Sequence, residues 1–261
     1  MTDADTLLRE GDLDGARQAL VGIVRTQPSN QQARMFLFQL LAIAGEWDKA
    51  HSQLQALAQL SAEAQMLAVA YGQAIAAEKQ RAAIFAGAAP MPLLRGEGTW
   101  AQDLAQSITA LAKGDIAQAD DLRLAAFDAA PDNPGGCNGD RFDWIADADT
   151  RFGPAIEIIM GGRYGLIGFD QIAAIRSKGP RDLRDTVWYP VEVFMRQGQS
   201  AAAMLPARYP GSETADSALR LARSTDWIEC DWGQQGLGQH VWTVSGGADC
   251  GILEIRDLVF D

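Results

Sequence analysis

The chain has 261 residues, 48% hydrophobic and 21% charged, which is enough apolar material for a substantial core without a metal or disulfide staple. Lys and Arg number 22 against 34 Asp and Glu, a formal charge of −12. The sequence also shows no basic stripe of the kind a polyphosphate requires, so nucleic acid and an anionic membrane are not the expected partners. The acidity is uneven: residues 1–86 hold nine acids and seven bases, and residues 87–261 hold 25 acids and 15 bases.

Cys137, Cys230 and Cys250 form no CxxC pair, and an odd count is no disulfide framework, so they read as reduced thiols of a cytoplasmic protein. The start, Met1-Thr-Asp-Ala-Asp5, is acidic where a signal peptide is basic. No apolar run approaches the ~18 residues of a membrane span. The expected location is the cytoplasm.

Residues 1–86 are rich in Ala, Leu and Gln with a single Pro, and their apolar residues recur at helical spacing: Leu13, Ala16, Leu20, Ile23, Val24, then Met35, Leu37, Phe38, Leu41, Ala42. Breaks fall at Gly11, Pro28, Gly45 and Ser61, with cap signals at Asp12, Ser29-Asn30 and Ser61. Gly11-Asp-Leu-Asp-Gly-Ala16 returns 34 residues later as Gly45-Glu-Trp-Asp-Lys-Ala50, and a third time as Gly114-Asp-Ile-Ala-Gln-Ala119. In the first and third copies a proline, Pro28 or Pro131, follows the alanine by 12 residues. Glycine permits the interhelical turn, alanine lets paired helices approach, and proline stops the second helix. The pattern resembles the tetratricopeptide repeat. It is degenerate: Phe38 stands where a small residue is expected, Ala62 replaces the second proline, and a Gly/Pro-rich stretch interrupts the array at about 87–99.

From residue 134 Gly, Pro and Trp become frequent. Strands are expected at Ala155–Met160, Tyr164–Gly168, Val187–Met195, Ala201–Leu205, Gln239–Val244 and Gly251–Arg256, with hairpin turns at Gly161-Gly162, 196–198 and Gly246-Gly247. Pro190 belongs on an edge or at a bulge. One helix is expected over about Glu213–Arg223, capped by Ser212. The fold class is α+β: a TPR-like helical region at 1–133, then a small antiparallel, barrel-like β domain at 134–261.

The second half carries a longer likeness. It runs through Asp140–Pro154, Leu183–Pro190, Leu205–Glu213, Leu219–Trp227, Gly238–Trp242 and Arg256–Phe260. With the repeats, these segments resemble the ImpE/SciE-type accessory proteins of bacterial type VI secretion, also called the TagJ family. The resemblance implies a cytoplasmic, non-enzymatic adaptor without cofactor. It also implies a partner, the small subunit of the contractile sheath, bound through that subunit's N-terminal helix, with a looser link to the AAA+ ATPase that recycles contracted sheath. Stacked helical hairpins agree in kind, because they leave a groove that accepts a helix.

Asp140, Asp143, Asp147 and Asp149, followed by Arg151, are the densest carboxylate cluster. They lack the Glu and the spacing of a calcium loop and read as a polar turn over Trp144, with Arg151 paired to an Asp. Cys230 and His240, with Asp231 or Asp249, can be assembled on paper into a thiol nucleophile, although no nucleophile turn surrounds Cys230. The alternative function is therefore a hydrolase or metal-dependent enzyme using the Asp140–Arg151 segment or Cys230 with His240. Gly161–Gly165 and Gly233–Gly238 read as hairpin turns, since neither leads into a phosphate-binding helix. Trp47, Trp100 and Trp144 read as packing groups. The Arg208-Tyr209-Pro-Gly turn either supplies interface-type anchors or only joins a strand to the 213–223 helix, with Arg208 pairing an acid. The residues expected to meet a partner are Trp144, Asp147, Asp149, Arg151, Arg208 and Tyr209.

Overall fold

The computed structural model describes residues 2–95, 98–247 and 249–261. Helices come first: α1 (Thr2–Arg9), α2 (Leu13–Thr26), α3 (Gln31–Ile43), α4 (Trp47–Ala58), α5 (Ala62–Phe85), α6 (Thr99–Ala112) and α7 (Ile116–Ala129). All three copies of the repeated hexapeptide lie at turns of antiparallel hairpins, α1–α2, α3–α4 and α6–α7. Their glycines take the left-handed backbone such a turn needs, with φ of 84° at Gly11, 68° at Gly45 and 83° at Gly114. Asp12, Asn30, Ser61 and Asp115 each accept the backbone N–H three residues on, at 2.8, 3.0, 3.1 and 3.2 Å. Ala16, Ala50 and Ala119 are buried between paired helices.

Strands follow: β1 (Gly135–Cys137), β2 (Asp140–Phe142), β3 (Ile145–Asp147), β4 (Ala155–Met160), β5 (Arg163–Gly168), β6 (Ile172–Arg176), β7 (Trp188–Met195) and β8 (Ser200–Pro206). After the short α8 (Ser217–Arg220) come β9 (Thr225–Cys230), β10 (Gly233–Gly238), β11 (Val241–Val244), β12 (Asp249–Gly251) and β13 (Asp257–Phe260). Eight of them form one antiparallel sheet in the order β2-β1-β13-β6-β7-β8-β4-β5; β9–β10 and β12-β11-β3 make two smaller sheets.

The large sheet is not closed, which corrects the barrel expectation. Its β5 edge is occupied by the Gly/Pro-rich interruption of the helical array: Leu94 N–H donates to Leu166 O and Leu166 N–H to Pro92 O, both at 2.9 Å. The opposite edge, β2, has only three residues. A covered edge and a very short one satisfy the sheet without closure. Gly96 and Glu97 of that interruption lie outside the described residues.

Other expectations shift locally. The helix at Glu213–Arg223 is instead a 3-10 turn, Ser212–Thr214, and the four-residue α8. Asp216, not Ser212, caps α8, and Ala222 with φ 52° ends it. Gly233–Gly238 is a strand rather than a turn, and Gly251–Arg256 contains a 3-10 turn at Ile252–Glu254. Pro190 lies in the large sheet opposite Met204 of β8, but β6 pairs with β7 only as far as Glu192; past that ladder the Pro190 carbonyl accepts from Ser177 Oγ at 2.9 Å.

Period-two alternation divides the sheet faces. Ala155, Ile159, Tyr164, Leu166 and Trp188 join the core shared with the helices, while Ile156, Ile158, Ile167, Val193 and Trp242 form a second core on the other side. Trp188 enters the helical array, with its ring 6.4 Å from Phe38, 5.8 Å from Trp47 and 5.6 Å from Tyr71. The helical and sheet halves thus share one apolar interior.

Candidate functional site

Where α5 crosses the sheet, the shared core is polar. Glu78 and Arg81 lie one turn apart on a buried face of α5. Glu157 sits on β4 between Ile156 and Ile158, and the strand period turns it toward that helix. Arg81 Nε and Nη2 donate to the two Glu157 oxygens, each at 2.7 Å, a bidentate pair. Tyr164 OH donates to Glu157 Oε1. Arg81 Nη2 also donates to Arg208 O at 2.9 Å, and Trp188 Nε1 to Glu78 Oε1 at 3.1 Å.

His240 extends the chain of contacts. Its Nε2 lies 3.0 Å from Glu157 Oε2 and its Nδ1 2.9 Å from Asp147 Oδ2. Tyr209 OH donates to Asp147 Oδ1 at 2.8 Å, and its ring lies over the imidazole with centroids 3.9 Å apart. Asp149 N–H donates to the same Asp147 oxygen. Asp149 in turn takes Arg151 Nε at 2.9 Å and Nη2 at 2.6 Å, together with Gly236 N–H at 2.8 Å. Arg208 Nη1 ties Ile43 O, at the end of α3, to Arg220 O of α8.

Charge balance follows from these partners. Burial pushes the Glu157 carboxyl up, but Arg81 and then His240 outweigh it and hold it well below the usual range. For His240, burial favours the neutral ring, while Asp147 and Glu157 together raise its pKa. Asp147 is raised by burial despite His240, and Glu78 is raised by burial against Arg81 and Arg208. Burial pushes Arg208 down to about 10, opposed by Glu78 and Glu213. Among the described residues, the buried side-chain atoms without a hydrogen-bond partner are Asp170 Oδ1, Arg184 Nε and Arg220 Nε, none of them in this network. A satisfied, closed network of this kind joins elements; it offers no free group to a substrate.

The sequence-predicted residues are therefore placed as follows. Asp147, Asp149, Arg151 and Tyr209 are brought together by hydrogen bonds, and Arg208 lies next to them with its guanidinium on Ile43 O and Arg220 O; all five are buried in the folded chain. Trp144, read also as a packing group, is 41% exposed and is the one of the six that faces solvent. Asp140 and Asp143 are exposed and outside the cluster. The paper triad does not assemble, because both His240 nitrogens are held by carboxylates and the Cys230 thiol faces its own strand's Ile228 O at 3.7 Å. No group of three or more His, Cys, Asp or Glu among the described residues is arranged to hold a metal ion. Glu78, Arg81 and Glu157 escaped the sequence reading. Glu157 stands inside the apolar run Ile156–Ile159, whereas Glu78 and Arg81 follow the apolar run Ala74–Ala77.

The surface has other features. Met66 and Val69 on α5 are 74% and 65% exposed. Beside them a groove of about 340 Å³ opens between α5 and β4–β8, lined by Ala70, Gln73, Ile159, Ala202 and Met204. A second cleft, about 430 Å³, lies between the α6–α7 turn and the β9–β10 hairpin, lined by Ile116, Trp232 and Arg151, whose charge is already paired to Asp149. No helix among the described residues is long and apolar enough to cross a membrane.

Paired helical hairpins locked onto an antiparallel sheet by a sealed ionic network define a rigid scaffold of the repeat-protein class. Residues 7–70 match the tetratricopeptide repeat and residues 139–259 match the ImpE protein family. The type VI secretion system accessory component TagJ of Pseudomonas aeruginosa is 40% identical over 99% of this chain and 91% of its own length. The chain belongs to this ImpE/TagJ family of type VI secretion accessory proteins. The crystal structure of protein VPA1032 from Vibrio parahaemolyticus matches with a TM-score of 0.89 at 26% identity, covering 99% of this chain and 97% of that one.

Proposed function

We propose that this protein is a non-enzymatic, cytoplasmic adaptor that needs no cofactor. It binds the small subunit of the type VI contractile sheath through that subunit's N-terminal helix and so assists the AAA+ ATPase that recycles sheath. The observation that carries this reading is the exposed stripe Met66, Val69, Ala70 and Gln73 on α5, bordering the apolar groove against β4–β8. Glu63 is the only charge between residues 62 and 77, so the helix lacks the solvated face a free surface helix normally shows. An amphipathic helix laid beside α5 would bury that stripe at i, i+3, i+4 and i+7 spacing.

The test is capture of the full chain by a peptide comprising the sheath small subunit's N-terminal helix. Retention is expected with the natural chain and loss of at least tenfold in affinity with Met66→Glu combined with Val69→Glu. No retention of the natural chain at low salt overturns the reading, and equal retention of the double variant moves the contact away from α5.

A further inference from the structure

Cys137 and Cys250 belong to different sheets and are 113 residues apart, yet their Sγ atoms lie 3.2 Å from each other. Cys137 is on β1 of the large sheet, paired opposite Leu258, and Cys250 is on β12 of the three-stranded sheet, opposite Trp242. The two sheets share the second core: Trp242 meets Phe169 edge-on at 5.2 Å, and Phe169 packs on Phe260 of β13 at 5.8 Å. That packing fixes the approach of the thiols. Both are free, Cys137 buried and Cys250 partly exposed. The contact does not belong to the ionic network, and the adaptor reading does not use it.

We propose that Cys137 and Cys250 form a redox-active dithiol that closes to an intramolecular disulfide when it meets a low-molecular-weight disulfide such as oxidised glutathione. Bond formation needs an S–S separation of about 2.0 Å, so the sulfurs must close by about 1 Å. The two positions are chemically unequal. The Cys137 thiol stabilises the Cys250 thiolate by hydrogen bonding, which lowers Cys250 and raises Cys137, the latter also raised by burial. Cys250, more accessible and more readily ionised, attacks one sulfur of glutathione disulfide and releases a glutathione thiolate. Cys137 then gives its proton to water and displaces the second glutathione. The protein loses two electrons and two protons, and the oxidant becomes two glutathione thiols. In a reducing compartment the pair rests as the dithiol. The product staples the large sheet to the β12-β11-β3 sheet and closes a long loop in the unfolded chain, which favours the folded state.

The full chain treated with oxidised glutathione and then alkylated under denaturing conditions tests this by peptide mapping. The expected map links the Cys137 peptide to the Cys250 peptide without reductant and finds Cys230 alkylated. The oxidised protein should melt several degrees higher than the reduced one and revert with dithiothreitol. Cys137→Ser should stop at a stable glutathione adduct on Cys250, whereas Cys250→Ser should gain no adduct at Cys137. Recovery of both cysteines alkylated in the natural protein overturns the proposal, as does a disulfide that uses Cys230; neither result requires a variant to fold.

Discussion

At the scale of residues, the polar core depends on pairing more than on any single interaction. Removing one partner of a buried ion pair leaves a charge without solvent, whereas removing both leaves a packing problem. Arg81→Met should therefore cost about 3–5 kcal/mol by urea denaturation, because Glu157 keeps its burial and loses two hydrogen bonds. Arg81→Met combined with Glu157→Gln should recover a large part of that loss; a double variant as unstable as the sum of its singles would deny the coupling. Proton linkage gives a second test. The pKa of His240 is raised above its ordinary 6.5, so its contribution is complete below that value and is lost as pH rises through the folded pKa. Glu157 has the opposite sign: its pKa lies below the ordinary 4.5, so its contribution is present above 4.5 and is lost as pH falls through the folded value. Asp147, raised above 3.8, works against stability once ionised. Urea midpoints should thus decline on both flanks of a mildly acidic optimum. His240→Gln should be less stable than the natural chain below about pH 6.5 and should lose the decline that sets in as pH rises above it. An unchanged alkaline slope in that variant would place the proton elsewhere.

At the scale of elements, local chemistry decides what a sequence reveals. Helix ends announce themselves, because a capping side chain and a left-handed glycine act within four residues; Asp12, Asn30 and Ser61 were legible on that basis, and Asp115 repeats the Asp12 arrangement at the third copy. Asp115→Ala should accordingly cost about 1 kcal/mol, seen as a lower melting temperature, and Asp115→Asn should keep most of the stability. The strand Ala155–Met160, apolar except for Glu157, was equally plain, being buried on both faces. The runs that escaped are those whose partners are remote. The strand β10 carries three glycines in six residues, so it reads as a turn; it is held extended by β9 and by Gly236 N–H on Asp149. Gly236 is also where backbone and ring approach closely, since a Cβ there would fall 2.3 Å from Tyr209. Similarly, the Pro92–Leu94 segment has no strand grammar and becomes an edge cover only because β5 ends the sheet. The site was half legible for the same reason. The Asp147–Arg151 cluster is local in sequence, whereas its meeting with Arg81 and Glu157 is a property of the fold.

At the scale of the whole molecule, the change of grammar near residue 134 suggests a division that the packing argues against. Trp188, on the sheet, rests among Phe38, Trp47 and Tyr71 of the helices, and its indole N–H is satisfied by Glu78 of α5. Cutting the chain there would expose that ring, leave Glu157 and His240 without Arg81, and free the β5 edge now covered by Pro92–Leu94. Each consequence is a recognised route to aggregation or to loss of fixed packing. A fragment of residues 134–261 should therefore be insoluble or lack near-ultraviolet circular dichroism of fixed tryptophans. Residues 1–133 should keep helical signal, because their hairpins bury local contacts, but melt with little cooperativity. For the intact chain, far- and near-ultraviolet signals should give coincident urea transitions, as one shared interior requires. Two separated transitions, or a well-folded 134–261 fragment, would mean that the Trp188 contacts and the Arg81–Glu157 pair join two self-sufficient bodies. In that case the scaffold would not be rigid, and a partner seated against α5 and β8 would have to fix their relative position when it binds.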